Sequence, residues 1–168
     1  IIRYGYSESS FSVVVSEEYD GQASAIVLIP GQPQEGTVSM GEYSYYRFNV
    51  QENTNRSVTF TAVPITGDVK YFVSTCTSGQ TLAQCTMPTS SYKTWYSEDT
   101  SQQTALRIST ADPHFCTDCI YLVGVTTDDT LTQGSNEHSA HFALTAAVDG
   151  TTVRLQDRLP FRATISAD

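Results

Sequence analysis

The chain has 168 residues, 39% of them hydrophobic and only 16% charged, with a formal net charge of -9. That length suits one domain with a real core, and the acidic balance excludes a surface built to neutralise a row of phosphates. Nineteen serines and 23 threonines make up a quarter of the residues, so hydroxyls rather than charges must cover much of the surface.

Helical spacing of apolar residues is almost absent. Val, Thr, Tyr, Phe and Ile fill short runs that Gly, Pro, Asn and Asp interrupt. In chain order the runs predict strands over 1–6, 11–15, 25–29, 36–38, 43–50, 57–63, 69–75, 105–109, 120–126, 141–148, 152–155 and 163–166. Many short strands at this spacing imply an all-β chain folded as a β-sandwich or jelly roll. No apolar run approaches the length of a membrane span. The chain starts on Ile1-Ile2-Arg3-Tyr4, which reads as the middle of a strand and as part of a longer or processed polypeptide.

The most informative run is 36–50, G-T-V-S-M-G-E-Y-S-Y-Y-R-F-N-V. Gly41 supplies a turn, and the following strand alternates. Tyr46, Phe48 and Val50 share one face, expected in the core, while Tyr45, Arg47 and Asn49 share the other, expected in water or against a neighbour. Two polar stretches, 76–104 and 127–139, read as surface insertions between strands.

Parts of the chain recur. At an offset of 127 residues Ile26-Val27-Leu28 lies over Val153-Arg154-Leu155, Pro33 over Pro160, and Thr37-Val38-Ser39 over Thr164-Ile165-Ser166. The runs 120–125 and 141–145 resemble 1–4 and 10–14. The order tail, head, middle, tail, head is that of a window on a tandem array. Residues 1–24 would be tail strands of one repeat, 25–148 a complete sandwich, and 149–168 head strands of the next.

Gly36-Thr37-Val38, Tyr45 to Val50, Ser57-Val58-Thr59-Phe60, Gly67 to Val73, Ile120 to Val125 and Phe142 to Thr145 follow one another in an order that resembles the bacterial pre-peptidase C-terminal (PPC) domain. The resemblance covers roughly 26–148. It implies a non-catalytic, jelly-roll-like β-sandwich module, found beside secreted proteases or in tandem in surface proteins, some members binding calcium or fibrous polymers. The long 76–104 insertion and the cysteine pairs depart from the family's pattern, so no ligand surface is carried over.

Four cysteines stand at Cys76, Cys85, Cys116 and Cys119. Cys116-Thr117-Asp118-Cys119 has the form C-x-x-C, but it precedes a strand instead of opening a helix, which argues against redox chemistry. The spacing of Cys76 and Cys85 is not that of a zinc knuckle. An even count in a hydroxyl-rich, lysine-poor chain favours disulfides and an oxidising compartment. Of the three pairings, Cys76–Cys85 and Cys116–Cys119 are preferred because each closes a loop without help from the rest of the fold. Asn55-Arg56-Ser57 is a glycosylation sequon, and the Ser/Thr run 86–94 suits O-glycans.

Catalytic motifs are missing from the sequence, and the three histidines, His114, His138 and His141, stand beside no nucleophile motif. No catalytic residue and no cofactor is assigned. Asp68, Asp128 and Asp129 are calcium candidates by virtue of their oxygens alone. Tyr43, Tyr45, Tyr92, Trp95 and Tyr96 could form an aromatic strip for sugar or protein, with Tyr45, Trp95 and Tyr96 as its surface members. Tyr46, Phe48, Tyr71 and Tyr121 are assigned to the core. The expectation is a non-enzymatic, glycosylated repeat unit of an extracellular or cell-surface filament. Its partners would be similar units and glycans, with no nucleic acid and no membrane span. The alternative is a carbohydrate- or protein-binding adhesin module.

Overall fold

The computed structural model describes residues 24–50, 55–77, 79–97, 104–127 and 139–153. They form nine strands, β1 (Ile26–Val27), β2 (Gln34–Ser39), β3 (Ser44–Asn49), β4 (Val58–Thr66), β5 (Val69–Thr77), β6 (Trp95–Tyr96), β7 (Thr104–Ile108), β8 (Cys119–Thr127) and β9 (Ser139–Val148). The only helical piece among them is a 3-10 turn at Leu82–Gln84.

Successive strands mostly alternate between two sheets, ordered β1-β3-β8-β5-β6 and β2-β9-β4-β7. β2 pairs with β9, β3 with β8, β4 with β7 and β5 with β6, all antiparallel. This nested pairing makes the β-sandwich a jelly roll. β1 is the exception, a two-residue edge strand parallel to β3. The expected strands within 24–153 are present with shifted ends, apart from Thr152 and Val153, which are irregular because Gly150 (φ 83°) turns the chain after β9. The predicted strands 1–6, 11–15 and 163–166, and the repeat matches that rest on them, lie outside the described residues.

Alternation fills the space between the sheets. From the first sheet come Tyr46, Phe48, Val69, Tyr71, Val73, Tyr121, Val123 and Val125; from the second, Val38, Val58, Phe60, Ala62, Ala140, Phe142, Leu144 and Ala146. Phe60 lies centrally, 5.9 Å from both the Phe48 and Tyr121 rings, and Phe142 meets Tyr46 edge-on at 6.1 Å. The core assignment of Tyr46, Phe48, Tyr71 and Tyr121 therefore holds. The β2–β3 turn falls on Gly41 at φ 79°, a conformation that L side chains rarely adopt. In β4 the missing N–H of Pro64 coincides with a bulge that pushes Ile65 out of register.

Candidate binding groove

The outward face of the first sheet is not a wet face. Rows crossing it run Arg47–Leu122–Ser74 and Tyr45–Gly124–Phe72–Tyr96. Leu122, Phe72 and Ser74 are buried although they point away from the sandwich core. Their cover is the 79–94 part of the insertion, which lies across the sheet as a partial third layer. Cys76 on β5 anchors it through a disulfide to Cys85, with Cα atoms 5.6 Å apart. Gln84 Oε1 accepts from the Thr81 N–H at 2.9 Å. The buried Pro88 carbonyl sits directly over Gly124. Further on, the Ser90 N–H donates to Tyr43 Oη at 3.1 Å.

The insertion ends by adding β6 to the sheet. Val73 pairs with Trp95 and Phe72 with Tyr96, so strand alternation turns these two aromatics to opposite sides. Trp95 goes inward. Its ring lies 6.0 Å from Tyr121, and its Nε1–H donates to Asp112 Oδ2 at 3.0 Å. Asp112 Oδ1 accepts from the His114 N–H at 2.8 Å. The indole donation, then that backbone donation, holds the Asp112 carboxyl below its usual range. The second disulfide, Cys116–Cys119, closes the same loop. Tyr121 Oη accepts from the Cys116 N–H at 3.0 Å and donates to its carbonyl at 3.1 Å. Trp95, Asp112 and Tyr121 together staple the loop before β8 to the core.

Tyr96 goes outward and borders a groove of about 780 Å³ on the uncovered end of the sheet. Tyr43, Phe72, Lys70, Lys93, Ser90 and Thr126 also line it. Lys93 donates to the Ser90 carbonyl. Its ammonium stands 5.3 Å from the Phe72 ring centre and 5.4 Å from that of Tyr96, within cation–π range. Tyr43 stacks on Tyr45 with ring centres 5.8 Å apart and 7° between the planes. Burial, then repulsion from Tyr43, raises the Tyr45 phenol above its ordinary pKa.

Of Tyr45, Trp95 and Tyr96, the surface aromatics expected from the sequence, only Tyr96 is freely exposed. Trp95 is half-buried against the core, because its strand position points it there, and Tyr45 is half-buried beside the insertion. Asn55 is exposed. Asp68 stands in the β4–β5 turn, where its carbonyl accepts from Thr127 Oγ1 at 2.8 Å. Asp128, Asp129 and His138 lie outside the described residues. Among those described, no three His, Cys, Asp or Glu side chains converge on a point. His141 faces Glu35 at 3.3 Å across β9 and β2, half in solvent. Tyr43 and Tyr96 of the groove belong to the aromatic strip expected from the sequence, whereas Phe72 and the two lysines were not anticipated. One signal was there: Lys70 and Lys93 are the only lysines in the chain.

Both disulfides stabilise by closing short loops, of nine and three residues' separation. The Cys76→Ser/Cys85→Ser variant should lose about 2–3 kcal/mol in urea unfolding and become cleavable within 79–94. The Cys116→Ser/Cys119→Ser variant should lose less, since its loop is shorter, and keep that segment resistant.

Comparison of the chain with protein-family models, with curated proteins and with solved structures returns no match. No helix among the described residues is long and apolar enough to cross a membrane.

Proposed function

We propose that the chain is a non-enzymatic β-sandwich module of a tandem array, a bead in an extracellular filament or surface fibre, joined to its neighbours by strand addition. The observation that carries this reading is the β1–β2 side of the sandwich. β1 ends one sheet and β2 ends the other, so both have an outer edge unpaired among the described residues. Gln34 Nε2 donates to the Val27 carbonyl at 3.0 Å and holds the two edges together. Beside them Val27 and Ile29 are 42% and 49% exposed. An open edge flanked by apolar side chains is a template for another strand. The sequence of 26–28 and 37–39 recurs further along the chain, as a tandem array would have it, and modules of that design need contact only their neighbours. The PPC resemblance, the two disulfides, the exposed Asn55 sequon and the hydroxyl-rich surface fit a glycosylated, secreted setting.

Electron microscopy of the native material should show filaments with an axial repeat of one or two beads. Val27→Lys/Ile29→Lys should disperse them while leaving the circular dichroism of the chain unchanged. Native material that is monomeric under all conditions defeats the reading.

A second reading, a carbohydrate- or protein-binding adhesin module, is favoured by the groove that Tyr43, Phe72, Tyr96 and Lys93 line. A bead can carry such a groove, so the two readings are compatible.

A further inference from the structure

We propose that the groove between the insertion and the open end of the first sheet binds an acidic oligosaccharide, with uronate-type carboxylates at Lys93 and sugar rings against Tyr96 and Tyr43. The proposal rests on the binding-module reading and gives it a ligand class.

Charge is the first argument. The chain carries 18 acidic residues and nine basic ones, and Lys93 is among the residues that line this groove. Among the described residues that line it there is no carboxylate. The neutral hydroxyls are largely committed to holding the walls together. Thr126 Oγ1 donates to the Glu42 carbonyl at 2.8 Å, Thr127 Oγ1 to that of Asp68, and Ser97 Oγ accepts from the Tyr71 N–H at 3.0 Å. The main-chain bond to Ser90 takes one of the three N–H donors of Lys93. An ammonium on the lining of a groove is best met by a charged acceptor.

Shape is the second. Phe72 and Tyr96 flank the ammonium, so among the described residues its position is set by rings and not by an acidic partner. Tyr96 is 47% exposed, and a tyrosine joins an apolar ring to a polar hydroxyl, which suits a ligand that is polar around its rim and apolar on its face. A pyranose has that form. A volume of about 780 Å³ accommodates a few linked rings. Nucleic acid fits poorly, because two cations on a chain of net charge -9 cannot neutralise a phosphate backbone.

The test is calorimetric titration of the chain with oligogalacturonate in EDTA, with cellohexaose as a neutral glycan and polyglutamate as an acidic peptide. EDTA is specified so that calcium does not bridge the ligand to a carboxylate of the chain. Oligogalacturonate should bind, more weakly as salt rises, and affinity should fall about tenfold or more in Lys93→Gln and in Tyr96→Ala. Lys93 is exposed and carries no strand bond, so the glutamine variant keeps the fold, and circular dichroism confirms it for both. Equal binding of polyglutamate, binding only with calcium, or affinity untouched by either substitution overturns the proposal. Cellohexaose binding that needs Tyr96 but not Lys93 overturns the acidic assignment and leaves the binding module standing. Binding of none of the three defeats the proposal and the binding-module reading together.

Discussion

Gly124→Val should cost about 1–3 kcal/mol and loosen the insertion on the sheet. Two effects of opposite sign meet at this position. Gly124 is mid-strand in β8, where valine's β-propensity would favour it by up to about 1 kcal/mol. Against that stands the geometry. A Cβ here would overlap the Pro88 carbonyl oxygen and lie 3.0 Å from the Tyr45 ring. Both neighbours are fixed, Pro88 by burial and Tyr45 by its stack on Tyr43. If the layer stays, overpacking costs about 1–3 kcal/mol. If it lifts, Leu122 and Phe72 meet water, at about 1.5–3 kcal/mol for each side chain fully uncovered. Either route outweighs the propensity gain. Urea unfolding should show the loss, and limited proteolysis should find new cuts within 79–94, with Gly124→Ala intermediate. A valine variant as stable and as resistant as the parent would mean that the insertion does not rest on Gly124.

The sandwich was legible because its information is local and periodic. Tyr46, Phe48 and Val50 alternate with more polar residues, and the same parity in β5 and β8 places Tyr71 and Tyr121 in the core. The third layer was not legible, because it breaks that rule in a quiet way. Phe72 and Leu122 stand at outward parity between inward Tyr71, Val73, Tyr121 and Val123. An apolar run without alternation reads equally well as a strand buried on both faces. Gly124 within β8 was the sharper clue, since glycine inside a strand often marks a close approach of another backbone. The same cover explains why Tyr45 and Arg47 are half-buried while Asn49, on the same face, is exposed. β6 was invisible for another reason. Two residues carry no period, so nothing in Trp95-Tyr96 could say that one ring enters the core and the other borders a groove. The disulfide pairing could be read because short loops close on themselves.

Stability should fall steeply between pH 10 and pH 12. Burial pushes the Tyr46 and Tyr71 phenols from 10.0 to about 12. For Tyr71 burial prevails over hydrogen bonding that would lower the pKa, and its Oη donates to the Phe60 carbonyl at 3.1 Å, which needs the proton in place. In the unfolded chain both phenols ionise near 10. Below pH 10 both states are protonated and the stability is whole. Above it the unfolded state gives up protons that the folded state keeps, so the unfolded state gains, until the folded phenols ionise near 12. At 1.36 kcal/mol per unit, two units at each of two sites amount to about 5 kcal/mol, on the scale of a domain's total stability. All four cysteines are in disulfides, so no free thiolate starts exchange in this range. Urea unfolding at successive pH values measures the slope. Tyr46→Phe and Tyr71→Phe should each make it shallower by about 1.4 kcal/mol per pH unit, and tyrosinate absorbance should rise together with unfolding. A slope unchanged in both variants would show that other groups govern the alkaline limit.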